Sequence, residues 1–439
     1  MIRSVTRRRW VVVLILFLFL ILHQVDLVLI GPLAFNIMLE LNIDEDRFIL
    51  IQALTTLVVA VFYFIWGYLF DTHTRKKLIA LGGFIWGATA WLRVIAPTFA
   101  TFLVSQAASG VDDAIRPGIF SIVGDYFRPW NRGKIFGLLQ LTQPVADLVA
   151  MILALVLGSQ FGWRPLFLLT GLMGMLMAFM VYFGVIEPKR GVSDPEFSSF
   201  LPTGTYTFDW VLAKKLLRKP SLILLYLQSF FAIFPWTVVM SSLLIYLGEV
   251  RGYSTDEMQF LLMSLFLVLA LGYPIGGIFG DSLFTYDKRC RICVSLLSVV
   301  LSAVGLFFVV GVPVGQNGLF MMLMMLTAFF MPFARPNLLA TIFDITLPEV
   351  RSTALAIFMF FQLLGSFVAG LLASYLMGRM DLVGMIRWLG VLPWGICVLL
   401  LVGVLILLPK EIRQIHRHMA YRSYLESRLA QKRQIHPPK

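Results

Sequence analysis

The chain has 439 residues, 59% of them hydrophobic and only 14% charged, with a mean hydropathy of +0.86. Soluble domains carry about 25% charged residues, and a fold this apolar would expose aggregating patches to water. A soluble enzyme or regulator is therefore excluded, and lipid is the main solvent.

The apolar residues come in long runs of the length a spanning helix needs, not in the short alternating segments of a membrane barrel. In chain order the first half predicts helices over 10–35, 48–70, 78–96, 99–124, 134–159 and 164–186. The first run is too long for a cleavable signal and lacks a small-residue cleavage site. The stretch 187–220 contains Pro188, Pro195, Pro202 and Pro220 among mixed charges and reads as a linker. The second half predicts helices over 221–247, 257–280, 290–312, 317–343, 352–377 and 383–408. The expected fold is thus an all-α membrane protein with twelve transmembrane helices in two six-helix bundles. Residues 1–186 form the first bundle, 187–220 the linker, 221–408 the second bundle and 409–439 a basic tail. Cys290, Cys293 and Cys397 offer no disulfide framework.

Lysine and arginine fix the orientation. Of 36, 28 fall before the first helix, in the even-to-odd loops, in the linker and in the tail. The opposite loops hold Arg47, Arg93, Arg164, Arg251, Arg379 and Arg387, and Arg116 and Arg335 lie within helices. Both termini are expected to be cytoplasmic, so the net charge of +12 reads as topology with no nucleic-acid partner. In the tail, Ile412, Ile415 and Met419 recur at helical spacing among Arg413, Arg417 and Arg422. That pattern suits either a basic amphipathic helix on anionic lipid headgroups or a solvated tail.

The two halves repeat. Arg116, Pro117, Asp125, Pro129 and Arg132 recur as Arg335, Pro336, Asp344, Pro348 and Arg351, all at one offset. Gly67-Tyr68-Leu69-Phe70-Asp71, followed by Arg75-Lys76-Lys77, has a counterpart in Gly277-Ile278-Phe279-Gly280-Asp281, followed by Lys288-Arg289. Repeated six-helix halves are the architecture of secondary transporters. Small glycines let helices approach, and an aspartate at a helix end can meet an arginine or an opposing helix N-terminus. Such contacts would form a conformational latch; plain topology-setting charge is the other reading.

The stretch from Gly67 to Lys77 resembles the signature loop of the major facilitator superfamily, and Gly162-Trp163-Arg164 with Phe167 resembles that superfamily's turn between helices 5 and 6. The resemblance implies the major facilitator fold over essentially the whole chain. Val25-Asp26, Gly110-Val111-Asp112-Asp113-Ala114 and Pro348-Glu349-Val350-Arg351-Ser352-Thr353-Ala354 are similar to the spinster-like group. That group is linked to export of lysolipids and sphingoid lipids, with proton coupling proposed. The sequence departs from it at Leu27, where the group has arginine, at Gln106, another usual arginine, and at Asp112 and Asp113, where it has a glutamate.

Ionisable residues at membrane depth are costly and mark function by default. Four acids qualify, Asp26, Asp112, Asp113 and Asp147, against Arg116 and Arg335; His23 is the one histidine within a span. His23 and Asp26 share a face of helix 1, and Arg116 can reach one of the helix 4 aspartates. The two aspartates point about 100° apart, so the other faces a neighbour. The resemblance places helices 1 and 4 on a central cavity, where Asp26, His23, Asp112 and Asp113 would couple to protons. The rival reading is an internal network that locks helices. Gln140, Gln143 and Asp147 form one polar stripe expected to line the cavity. Arg335 would meet a substrate phosphate or carboxylate, or else backbone carbonyls freed by Pro336. Gln362, Gln228 and the kinked aromatic helix around Trp236 complete the candidate lining.

The expected function is a secondary active transporter that moves a small amphipathic or lipid-like substrate by alternating access, coupled to protons. Uncoupled facilitation and multidrug or organic-cation export are the alternatives. No phosphate-binding loop of the G-x-x-x-x-G-K-[ST] type is present, no cofactor is expected, and one intramembrane histidine without a carboxylate array argues against a lipid enzyme. The lack of N-x-[ST] sequons and of long outer loops points to a prokaryotic plasma membrane.

Overall fold

The computed structural model describes residues 2–195, 208–377 and 379–435. The first half contains α1 (Ile2–Leu29), α2 (Ala34–Leu41), α3 (Glu45–Thr72), α4 (Arg75–Val94), α5 (Phe99–Asp113), α6 (Arg116–Tyr126), α7 (Arg132–Gln140), α8 (Thr142–Leu153), the short α9 (Ser159–Phe161) and α10 (Trp163–Gly184). After α11 (Trp210–Leu216) in the linker, the second half contains α12 (Pro220–Ala232), α13 (Phe234–Ile245), α14 (Thr255–Phe284), α15 (Cys290–Gly311), α16 (Asn317–Phe330), α17 (Ala334–Asp344), α18 (Arg351–Leu376) and α19 (Leu382–Ile435). Part of the expected linker, 196–207 with Pro202, lies outside the described residues.

Ten of the described helical segments are long and apolar enough to cross a membrane. The remaining two of the twelve spans are α4, which carries Arg75, Lys76, Lys77 and Arg93, and the pair α5–α6, which is interrupted at Ala114–Ile115.

Four spans are broken near their middle, two in each half: α5–α6, α7–α8 at Leu141, α12–α13 at Ile233, and α16–α17, joined by a 3₁₀ turn at Met331–Phe333. Each break has a proline close by: Pro117, Pro144, Pro235 and Pro332. Proline lacks the N–H that would continue the ladder and clashes with the preceding turn. In a membrane such irregular backbone is tolerated only inside protein or along a cavity. The breaks therefore point to where a cavity lies.

The last span and the expected tail are one helix. α19 continues through Pro409 to Ile435. Its apolar stripe is turned inward, with Ile412 and Met419 buried in the protein core, and Arg422 pairs with Glu349 at 2.5 Å. This corrects the picture of a separate helix with those apolar residues in the headgroups: the end of the bundle offers them a dry surface.

Candidate functional site: a charge lattice between the halves and a central cavity

At the end that carries the termini, the halves are joined by two symmetry-related contacts. Asp71, at the end of α3, accepts hydrogen bonds from the Ser352 and Thr353 backbone N–H groups at 3.0 and 2.7 Å and from the Thr353 hydroxyl at 2.6 Å. Asp281, near the end of α14, accepts from the Gly133 and Lys134 N–H groups at 3.0 and 2.8 Å. Each carboxylate thus sits on the first turn of a helix in the other half, where unpaired N–H groups and the helix dipole favour negative charge. The glycines one turn back permit this approach. A Cβ on Gly67 would lie 2.8 Å from the Ala356 Cβ, and one on Gly277 only 2.2 Å from the Gly133 carbonyl oxygen.

A charge lattice surrounds both contacts. Arg75 bonds Asp125 at 2.6 Å and Glu187 at 3.0 Å, while the Lys76 N–H donates to Glu187 at 3.2 Å. Its counterpart is Arg291, which bonds Asp281 and Asp344, each at 2.5 Å. Arg351 reaches Asp125 at 3.2 Å, and Arg132 lies 3.9 Å from Asp344. Asp194 belongs to the linker and joins both of these arginines, at 2.6 Å to Arg132 and 2.9 Å to Arg351. Although burial opposes its charge, the two guanidinium groups hold its carboxyl below the ordinary carboxylate range. The linker itself is tied to the first half, since Gly191 donates its N–H to Asp125 and Arg190 donates to the Phe70 and His73 carbonyls.

Between the halves lies a cavity of about 320 Å³, within the range of small-molecule sites. All four helix breaks meet it. Asp113 and Arg116 come from the first break, Gln143 and Pro144 from the second, Ile233 and Trp236 from the third, and Met331 and Arg335 from the fourth. Gln362 and Asp147 also line it. Gln140 is buried away from it, because the helix breaks at Leu141 and the stripe loses its register there.

The charges in the cavity differ in how they are matched. Arg116 bonds Asp113 at 3.2 Å and Gln143 at 3.4 Å, and also reaches the Gln24 side chain. Arg335 has no carboxylate within ion-pair distance among the described residues, and its Nε is buried without a partner. Tyr273 is its hydrogen-bond partner, and Tyr63 lies nearby. Asp147 likewise has no direct partner among the described residues, Arg116 being its nearby opposing charge. Trp236, Leu269, Met331 and Trp394 separate the cavity from a smaller apolar pocket of about 60 Å³ among α13, α14, α15 and α16.

Three expected site residues lie elsewhere, in the interior of the first half. Asp26 is fully buried against Arg93 at 2.5 Å and accepts from the Thr170 hydroxyl. Arg93 also stacks on the Phe167 ring, with 4.5 Å to its centroid. Arg93 is thus the last basic residue of α4, turned inward, and not a loop charge. Asp112 is bonded to His23 at 2.9 Å, and His23 packs edge-on to Trp86. Of the two adjacent aspartates, Asp113 faces the cavity with Arg116 while Asp112 faces helix 1.

The cavity repeats too. Tyr63 and Tyr273 precede Asp71 and Asp281 by the same interval, and Gln143 and Gln362 share the offset of Arg116 and Arg335. By that offset the equivalents of Asp113 and Asp147 are Pro332 and Ser366. Both halves supply arginine, tyrosine and glutamine to the frame; among the described residues the acids come from the first half alone. The sequence carried the tyrosine pair in plain view, at an interval that marks them once Asp71 and Asp281 are aligned. Arg291, Glu187 and Asp194 carried no such mark.

Comparison with known proteins agrees with this architecture. The model of the Major Facilitator Superfamily matches residues 16–312 and 225–430. The chain is 27% identical over 227 residues to protein spinster of Drosophila melanogaster, covering 50% of this chain and 36% of that protein, so it spans little more than a third of that relative. It is 25% identical over 381 residues to an MFS-type efflux pump of Mycolicibacterium smegmatis, covering 84% of this chain and 86% of the pump. Among solved structures, the E. coli fucose:proton symporter superposes with a TM-score of 0.70 at 12% identity, covering 89% of this chain and 98% of that one, which shows a shared fold. With twelve spans in two repeated halves, a cavity at their broken helices and a family match that runs through both, the chain belongs to the major facilitator superfamily of transporters.

Proposed function

We propose that this protein is a secondary active transporter that moves a small amphipathic substrate by alternating access and is driven by protons. The observation that carries the reading is the pair of unmatched charges, Asp147 and Arg335, contributed by opposite halves to one cavity. A charge at membrane depth without a direct counter-charge is strongly disfavoured unless a ligand or water completes it. A substrate bearing an acidic group would meet Arg335, its apolar part would lie against Trp236 and Trp394, and a proton would occupy Asp147 or Asp113 in part of the cycle. Asp26, Asp112 and His23 would then hold the first bundle together, and the gate residues would keep the terminus-bearing end closed while the cavity loads. We take that end as cytoplasmic, in a plasma membrane, from the basic loops that crowd it.

Reconstituted liposomes test this. Uptake of a fluorescent lysolipid under an imposed pH gradient should be lost in Asp147→Asn and in Asp113→Asn, and binding should weaken roughly tenfold to hundredfold in Arg335→Gln. Gradient-independent flux of unchanged rate in both aspartate variants would overturn the coupling. A second reading, export of organic cations, is favoured by the acids that the first half alone supplies and by the near full-length likeness to an efflux pump. Cation export should survive Arg335→Gln, which separates the two.

A further inference from the structure

The inward turn of the α19 stripe leaves its basic face with a different task. Beyond Pro409 this face and the α14–α15 connection enclose an open groove of about 560 Å³. Lys288 and Arg289 line one wall, Arg413 and Arg417 the other, and Asp287 is the one carboxylate of the lining among the described residues. Asp287 is already beside Arg289, at 3.9 Å. The Lys288 ammonium approaches the His416 ring at 3.0 Å, and the Arg413 Nε donates to the Pro409 carbonyl. Among the described residues Lys288, Arg413 and Arg417 have no carboxylate partner, so three cations converge without a counter-charge.

The groove is fixed in shape and in level. Ile412, on its floor, is buried in the core, so the arginines project from an anchored helix. One turn before Pro409, Ile406 is 73% exposed, and Leu297 of the neighbouring α15 is 58% exposed. Those side chains face lipid tails, and one helical turn is about 5 Å, which sets the groove at headgroup depth. Tyr286, at 88% exposure, stands at its rim, where tyrosine commonly marks the membrane interface.

We propose that this groove binds the phosphate of an anionic phospholipid in the leaflet on the terminus-bearing side. A membrane lipid is favoured over a free phosphate because the groove opens beside apolar, lipid-facing helix surface that would seat the acyl chains. Basic residues near an anionic surface contribute about 1 kcal/mol each. Binding also reaches the gate, because the same α19 segment packs Ile412 and Met419 beside Asp344 and Arg351.

The test uses the full-length protein in nanodiscs of phosphatidylcholine with and without phosphatidylglycerol, read by thermal unfolding and by counting retained lipids in native mass spectrometry. Phosphatidylglycerol should raise the unfolding temperature and be retained. The variant Lys288→Gln/Arg413→Gln/Arg417→Gln should lose roughly tenfold to hundredfold in lipid affinity and match the wild type in phosphatidylcholine alone. If that variant fails to fold, Arg417→Gln alone should lower retention by roughly fivefold. Unchanged retention in a folded variant overturns the proposal, as does equal stabilisation by inorganic phosphate without lipid.

Discussion

At the terminus-bearing end, Arg75, Arg132, Arg291 and Arg351 each meet at least one carboxylate, whereas in the cavity, among the described residues, Arg335 meets no carboxylate and Asp147 no cation at ion-pair distance. The two regions draw on the same residue types and on equivalent positions of the repeat. Their difference lies in the count. Matched charges in a low dielectric cost little while intact and much when halved, so they hold helices in one arrangement. Unmatched charges gain from whatever arrives to complete them. The gate is thus built for self-satisfaction and the cavity for something else.

The largest effect that would break this contrast is at the gate. Arg291→Met leaves Asp281 and Asp344 without their main cation and should cost about 3–5 kcal/mol, read as a drop in unfolding temperature in detergent. If Arg335→Met costs as much, the distinction between the regions fails. Next, Arg335→Gln should leave the unfolding temperature unchanged and weaken binding of an anionic amphiphile roughly tenfold to hundredfold, measured by titration. Asp71→Asn and Asp281→Asn keep one acceptor each and should shift the closed-to-open ratio by about fivefold, read from the labelling rate of a cysteine placed at Ser366. Unequal shifts would show that the two latches are not equivalent.

The smallest effect concerns pH. Arg132 and Arg351 hold Asp194 below its ordinary value against the opposing effect of burial. A depressed carboxyl stabilises the gate fully above the unfolded value of about 3.9. That contribution is lost only as pH falls through the lowered native value. Gate closure should therefore be flat from about pH 5 to 8 as far as Asp194 is concerned, and Asp194→Asn should lower closure uniformly over that range. A transition near neutrality that vanishes in Asp194→Asn would sink this assignment.

Much of the architecture was legible in the sequence because repeats and apolar runs are local patterns. The matching residues at Arg116/Arg335, Asp125/Asp344 and Arg132/Arg351 placed the two halves, and the glycine–aspartate motifs marked the contacts between them at Asp71 and Asp281. The direction in which a buried side chain points was less legible. Asp26 and Asp113 look alike in the sequence, yet one faces Arg93 and the other the cavity. Arg93 lies near a helix end, where loop charges are common, and only packing against Phe167 and Asp26 turns it inward. Gln140 was misplaced because a break at Leu141 resets helical phase, and a phase argument is sound only along an unbroken helix. Asp194 has no counterpart in the repeat and could be found only in three dimensions.

That missing counterpart has an electrostatic consequence. Two equivalent arginines share one carboxylate, and the chain around that carboxylate is moored to the first half. When the halves part, Arg132 keeps Asp194, while Arg351 leaves behind both Asp194 and Asp125. Among the lattice residues the opened mouth is then lopsided in charge: Asp71, Asp125, Glu187 and Asp194 outnumber Arg75, Arg132 and Arg190 on one lip, while Arg291 and Arg351 balance Asp281 and Asp344 on the other. A vestibule of that polarity favours cations over anions at the first half. A two-fold frame would give an exiting or entering solute no preferred side; one linker aspartate without a counterpart in the repeat supplies the bias.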